Sequence, residues 1–303
     1  MNEGPRHGRF LGMHRGGWHR VAYTDWGDVR SNHVVVCVHG LTRNSRDFDA
    51  LARALAPSCR VVCIDVVGRG DSDWLDDPTG YAFPTYEADA AALLARATAG
   101  ASDPSRLAID WVGTSMGGLL GMVLAARSGT PIRRLVLNDI GPYIASAALH
   151  RINASHARAA AEFETLDAVE RQMRVTYAGF GPLTDAQWRE VALHGSRRSE
   201  KGTFRLACDP AVIAGPARSG SVDANAADEA PPPLDLWRSW DRIRCPTLAL
   251  RGAASDVLDA QTARDMRLRG PRARVVEFTG IGHAPWLADE AQIAPVREFL
   301  LAP

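Results

Sequence analysis

Six short stretches of the chain are predominantly apolar: Val34–Val38, Val61–Val66, Leu107–Val112, Leu135–Asp139, Thr247–Leu250 and Arg274–Phe278. They are rich in β-branched residues and do not alternate with polar ones. A strand covered on both faces reads this way, so the pattern predicts a mostly parallel sheet buried between helices. Parallel neighbours need long crossovers, and the intervening segments carry helical patterns. Asp47–Ala56 places Phe48, Leu51 and Leu55 on one face and stops at Pro57. Thr85–Thr98 is Ala-rich around Tyr86, Leu93 and Leu94, and Met116–Arg127 runs from a Gly-flanked turn to Gly129 and Pro131. Upstream, Arg20–Asp28 reads as an edge strand closing in a turn at Trp26-Gly27-Asp28.

The rhythm breaks between Asp139 and Thr247, where no convincing strand pattern occurs. Ala154–Thr165, Asp167–Tyr177 and Asp185–His194 are helical in pattern. So long a structureless loop is uncommon in a compact domain, which predicts an inserted helical subdomain. Its bounds are placed at 142–236, with 1–141 and 237–303 forming the core. Its exit, Ser219–Pro233, is rich in Ser, Ala, Asp and Pro and reads as a mobile surface linker.

Composition narrows the function. The 303 residues hold 35 basic and 35 acidic side chains, a formal net charge of zero. That balance gives no electrostatic footprint for nucleic acid or an anionic membrane. No apolar run reaches the ~18 residues that a membrane helix needs, and residues 1–20 contain no apolar segment of the secretory kind. The five cysteines, Cys37, Cys59, Cys63, Cys208 and Cys245, form no C-x-x-C pair. A reducing cytoplasm is the expected home. No His and Cys spacing suits a zinc site. Gly68 and Gly70 are followed by no helix bearing a third glycine, so they are not a dinucleotide fingerprint.

The strongest chemical signal is Gly113-Thr114-Ser115-Met116-Gly117, placed between an apolar strand pattern and a helical one. A serine on that sharp turn stands exposed as a nucleophile. Such a serine needs a base, and the base an orienting acid. His283 follows the last strand in Gly280-Ile281-Gly282-His283, where a glycine-rich loop can aim the ring back over the sheet. The acid is assigned to Asp256, in the small polar loop after Thr247–Leu250. Asp139, at the end of the fourth run, is its rival, and Asp259 a distant third. The order Ser, Asp, His is the one an α/β architecture of this kind uses.

Several of these motifs together resemble the α/β-hydrolase fold family over nearly the whole chain. His39-Gly40-Leu41 resembles the family's His-Gly-x loop, Gly68-Arg69-Gly70-Asp71-Ser72 its G-x-G-x-S turn, and Ser115 its nucleophile elbow. The resemblance implies an α/β-hydrolase fold with an inserted helical cap, a catalytic triad of Ser115, Asp256 and His283, and an oxyanion hole of the Leu41 and Met116 backbone N–H groups. It implies no cofactor and no metal, and a serine esterase acting on a small or medium acyl ester. A lactonase, a carbon–carbon bond hydrolase of ring-cleavage products, and a non-catalytic ligand-binding relative are the alternatives. Thr114 and Ala284 stand where the carbon–carbon hydrolases typically carry Asn and an aromatic residue, which counts against that one. Trp286 is a pocket candidate because it lies on the histidine loop. The cluster Arg197, Arg198, Lys201 and Arg205 reads as a solvated face in preference to an anion site.

Overall fold

A computed structural model describes residues 4–155, 161–213 and 231–302. The strands are β1 (Arg6–His14), β2 (Gly17–Trp26), β3 (His33–Val38), β4 (Arg60–Ile64), β5 (Ala108–Thr114), β6 (Ile132–Asn138), β7 (Tyr143–Ile144), β8 (Glu162–Phe163), β9 (Ser196–Arg198), β10 (Phe204–Leu206), β11 (Leu234–Asp235), β12 (Thr247–Gly252) and β13 (Arg274–Phe278). Among the described residues the main sheet has eight strands in the order β1-β2-β4-β3-β5-β6-β12-β13. From β4 to β13 all pairings are parallel, and β1 and β2 form an antiparallel hairpin against β4.

The central strands are unbroken apolar runs because each face of the sheet has its own core. Val34, Val36, Val38, Trp111, Leu135 and Leu137 point into one cluster, shared with α2 (Phe83–Thr98), α3 (Met116–Ala125) and the helix Ala260–Leu268. Val35, Cys37, Val112, Val136, Leu248 and Leu250 point into the other, shared with α1 (Asp49–Leu55) and the helix Glu290–Leu301. Burying each such side chain contributes roughly 2 kcal/mol before entropy is counted. The six predicted strands are present with small shifts at their ends. The hairpin strand β1 has no counterpart in the sequence reading. Its burial alternates along the strand, but the outward positions hold Leu11 and Met13 and the inward ones Gly8 and Gly12, so no alternation of polar and apolar residues shows in the sequence.

The interval 142–236 is helical only in part. It holds α4 (Ser146–Ser155), α5 (Leu166–Thr176) and α6 (Asp185–His194). Against the expectation of an interval without strands, a small antiparallel sheet runs β8-β10-β9. Of the helix expected over Ala154–Thr165, residues 156–160 lie outside the described residues; α4 is described to Ser155, and residues 162–163 are strand, not helix. Strands of two or three residues are too short to show a period. Beside them, α5 and α6 enclose Val169, Met173, Tyr177, Trp188 and Ala192. β7 and β11 pair antiparallel, Tyr143 opposite Asp235, so the interval leaves and rejoins the core at one place. Most of Ser219–Pro233 lies outside the described residues.

Candidate active site

Ser115 sits between β5 and α3 with φ 50° and ψ −114°, a conformation that a residue with a Cβ adopts only under constraint. The constraint is close packing. A Cβ on Gly113 would lie 2.3 Å from the Gly117 backbone, and one on Gly117 would lie 2.1 Å from the Val38 carbonyl oxygen. Glycine in a helix costs about 1 kcal/mol against alanine, yet here only glycine lets the first turn of α3 press against β3. Gly117→Ala is therefore expected to lower stability by about 3 kcal/mol, because the added methyl would press on the Val38 backbone, which cannot swing aside as a side chain can. A urea denaturation series reads this directly, and an unchanged midpoint would contradict it.

Three strand ends deliver the polar residues. Ser115 Oγ lies 2.9 Å from His283 Nε2, and His283 Nδ1 lies 2.7 Å from Asp139 Oδ2. Asp139 is fully buried and has φ 54°. Its carboxylate also accepts the Gly252 N–H at 2.7 Å and the Ser255 hydroxyl. Those donors leave His283 with its proton on Nδ1 and a lone pair on Nε2 for the serine hydroxyl. Asn138, beside Asp139, donates from Nδ2 to Thr114 Oγ1 at 3.0 Å and to the Pro285 carbonyl at 2.8 Å. It thereby ties the serine turn to the histidine loop.

The assignment of the acid to Asp256 is corrected by this geometry. In the strand order β5-β6-β12-β13, a histidine reaching from β13 back to Ser115 passes over β12 and β6. Asp139, directly after β6, lies on that path. In the loop after β12 it is Ser255 that turns inward, to Asp139, while Asp256 is half-exposed and paired in bidentate fashion with Arg151. Asp139 follows Val136-Leu137-Asn138 and precedes Ile140, so its carboxylate is buried and requires partners. Asp256, in a polar loop, can remain in water. That contrast was the available signal.

The loop after β3 carries Leu41, and Met116 opens α3, where the first amides have no intrahelical acceptor. His39 pins this loop: its Nδ1–H donates to the Gly40 carbonyl at 2.6 Å and its Nε2 accepts the Val66 N–H at 2.9 Å. Burial pulls its pKa down to about 3. The unfolded chain takes up that proton near pH 6.5. The stabilisation is thus complete above pH 6.5 and is lost as pH falls toward 3, by up to about 1.4 kcal/mol per pH unit. Urea midpoints should drop between pH 7 and pH 5, and His39→Gln should flatten that slope.

Arg69, in the G-x-G-x-S turn, is fully buried and braces the same region. Its Nε donates to the Leu41 carbonyl at 2.8 Å, Nη1 to the Val67 carbonyl at 2.7 Å, and Nη2 reaches Met116 Sδ at 3.4 Å. Sequence reasoning assigned this turn but not the arginine's part in it.

A pocket opens above Ser115 and His283, lined among others by Arg43, Arg151, Tyr177, Phe180 and Trp286. Trp286 is buried and meets Tyr177, Phe180 and Trp188. The Phe180 ring stands 5.9 Å from the His283 ring, and the Gly282 N–H donates to the Gly179 carbonyl. The interval 142–236 therefore touches the histidine loop directly. Arg43 chelates Asp47 and lies 4.8 Å from the Tyr177 ring centroid and 5.4 Å from that of Trp286. Burial opposes its charge, but Asp47 and Tyr177 outweigh burial and hold the guanidinium more firmly protonated than usual. Arg197 and Arg205 do not line this pocket; they stack on the Trp74 ring at 4.7 and 4.5 Å. Among the described residues there is no cluster of three potential metal ligands, and no helix is long and apolar enough to cross a membrane.

Comparison with known proteins agrees with this architecture. A family model described as "Alpha/beta hydrolase family" matches residues 35–296. The 3-hydroxybutyrate-oligomer hydrolase of Cupriavidus necator is 42% identical over 302 residues, covering 99% of each chain. The 2-(acetamidomethylene)succinate hydrolase of Mesorhizobium japonicum is 28% identical over 254 residues, 84% of this chain and 82% of that one. An alpha/beta hydrolase from Novosphingobium aromaticivorans superposes with a TM-score of 0.80 at 32% identity, covering 99% of both chains.

Proposed function

The chain belongs to the alpha/beta hydrolase family and is a hydrolase, and from that premise we propose that it cleaves short linear esters of hydroxy acids through an acyl-enzyme on Ser115. The observation that carries the reading is the hydrogen-bonded line Ser115–His283–Asp139 at the floor of a pocket. Ser115 Oγ attacks the acyl carbon as His283 Nε2 takes its proton. Asp139 holds the ring in the tautomer that can accept, then stabilises the cation that forms. The Leu41 and Met116 amides receive the oxyanion, each donor contributing roughly 3 kcal/mol to the barrier reduction. His283 next protonates the leaving alcohol, and water attacks the acyl group by the same route.

In this reading residues 142–236 act as a cap, with Tyr177 and Phe180 closing the pocket over His283. The hydroxy-acid ester is supported by the 42% identical relative, a hydrolase of 3-hydroxybutyrate oligomers. Two measurements test the proposal. A fluorophosphonate should label Ser115, identified by peptide mass. In a panel of 3-hydroxybutyrate oligomers, lactones and ring-cleavage dienoates, the oligomers should give the highest kcat/KM. Faster turnover of a dienoate or a lactone would overturn the substrate class, and absence of a Ser115 adduct would overturn the nucleophile.

A further inference from the structure

The Ser115 pocket is lined by two arginines whose situations differ. Arg43 is buried, chelates Asp47 through Nε and Nη2 and is flanked by the Tyr177 and Trp286 rings, so its guanidinium links the loop after β3, the 142–236 interval and the histidine loop. Arg151 projects from α4 at the pocket wall and is 49% exposed; its Nε and Nη2 both go to Asp256, 50% exposed, with the Nη2 bond at 2.7 Å. Among the described residues Asp256 makes no other side-chain hydrogen bond. It contributes nothing to the Ser115–His283–Asp139 line.

A guanidinium fork that grips a carboxylate with two parallel bonds will grip another carboxylate in the same way. An ion pair this exposed is held weakly, so exchanging one carboxylate for another costs little. Building on the hydroxy-acid ester reading above, we propose that Arg151 binds the free carboxylate of the substrate and that Asp256 occupies that position until the substrate arrives. A hydroxy-acid oligomer with its acid end free fits both requirements: an ester at Ser115 and a carboxylate at Arg151. Asp256 holds the fork at the pocket wall and competes with any carboxylate that enters. The enzyme then discriminates free-acid esters from neutral ones of the same length, and the discrimination resides in binding.

The test compares two substrates on the full-length protein: the linear dimer of 3-hydroxybutyrate as the free acid, and the same dimer capped as a primary amide. The wild type should favour the acid in kcat/KM by about fivefold or more, the scale of a partly exposed charge-assisted contact. Arg151→Gln should erase most of that preference, chiefly through KM for the acid. Asp256→Asn should raise the preference, because the competing carboxylate is gone. Equal kcat/KM for acid and amide in the wild type would overturn this assignment alone, leaving ester hydrolysis standing. So would an Arg151→Gln variant that loses acid and amide turnover in equal proportion, since that is the mark of a latch and not of a reader. Failure to cleave either dimer would overturn the substrate reading along with it.

Discussion

Ser115→Ala is expected to lower kcat by more than about 10³-fold on any ester the protein hydrolyses, because the members of such a hydrogen-bonded line act as a unit. What remains would come from the pocket and the oxyanion amides. The fold should survive. Alanine meets the same backbone demand at φ 50° as serine does, and the hydroxyl's one described side-chain partner is His283 Nε2. Losing that part-buried hydrogen bond is worth about 1 kcal/mol of stability. A thermal melt beside a stopped-flow burst measurement reads both effects on one preparation. Turnover above a tenth of the wild-type value in a normally folded variant would show that the covalent step, if any, occurs on another residue.

The parts of this architecture legible in the sequence are those where burial leaves no choice. Val34–Val38 and Leu135–Leu137 read as strands because alternate residues enter opposite cores and both sides must be apolar. The serine turn was legible because glycine two places either side of Ser115 is demanded by contacts of 2.1–2.3 Å. The inserted interval was visible as a lapse in the strand rhythm. What escaped detection depended on the third dimension. β1 alternates in burial but not in polarity, because glycines stand at inward positions and Leu11 and Met13 at outward ones. β8, β9 and β10 are two or three residues long, shorter than any pattern. Arg69 and Arg151 take their partners from other elements, Arg69 reaching back 28 residues to the Leu41 carbonyl, and Arg43, though it chelates Asp47 close by, meets the distant rings of Tyr177 and Trp286. The choice between two carboxylates turned on strand order. The small polar loop after Thr247–Leu250 favours Asp256, whereas the sheet inserts β12 between β6 and β13 and so leaves the end of β6 beneath the histidine.

That choice has its own experiment, and its outcome should be large. Asp139→Asn is expected to reduce kcat by up to about 10⁴-fold with little change in KM. The carboxylate accepts from three donors: the Gly252 amide, the Ser255 hydroxyl and His283 Nδ1. Asparagine keeps one acceptor oxygen and replaces the other with an amino group that can only donate. The Gly252 amide is fixed in the backbone at the end of β12 and retains the oxygen, so the amino group faces Ser255 and His283. The serine hydroxyl can rotate to accept. The imidazole can satisfy the new donor only by moving its proton to Nε2, which removes the lone pair that Ser115 needs. Asp139 is fully buried, and the substitution retains its shape, so the protein should fold and the loss should be kinetic. Measuring Asp139→Asn and Asp256→Asn side by side with one activated ester decides between the two acids. A deeper fall in kcat for Asp256→Asn would mean that the loop after β12 supplies the acid during turnover and that Asp139 serves the fold alone.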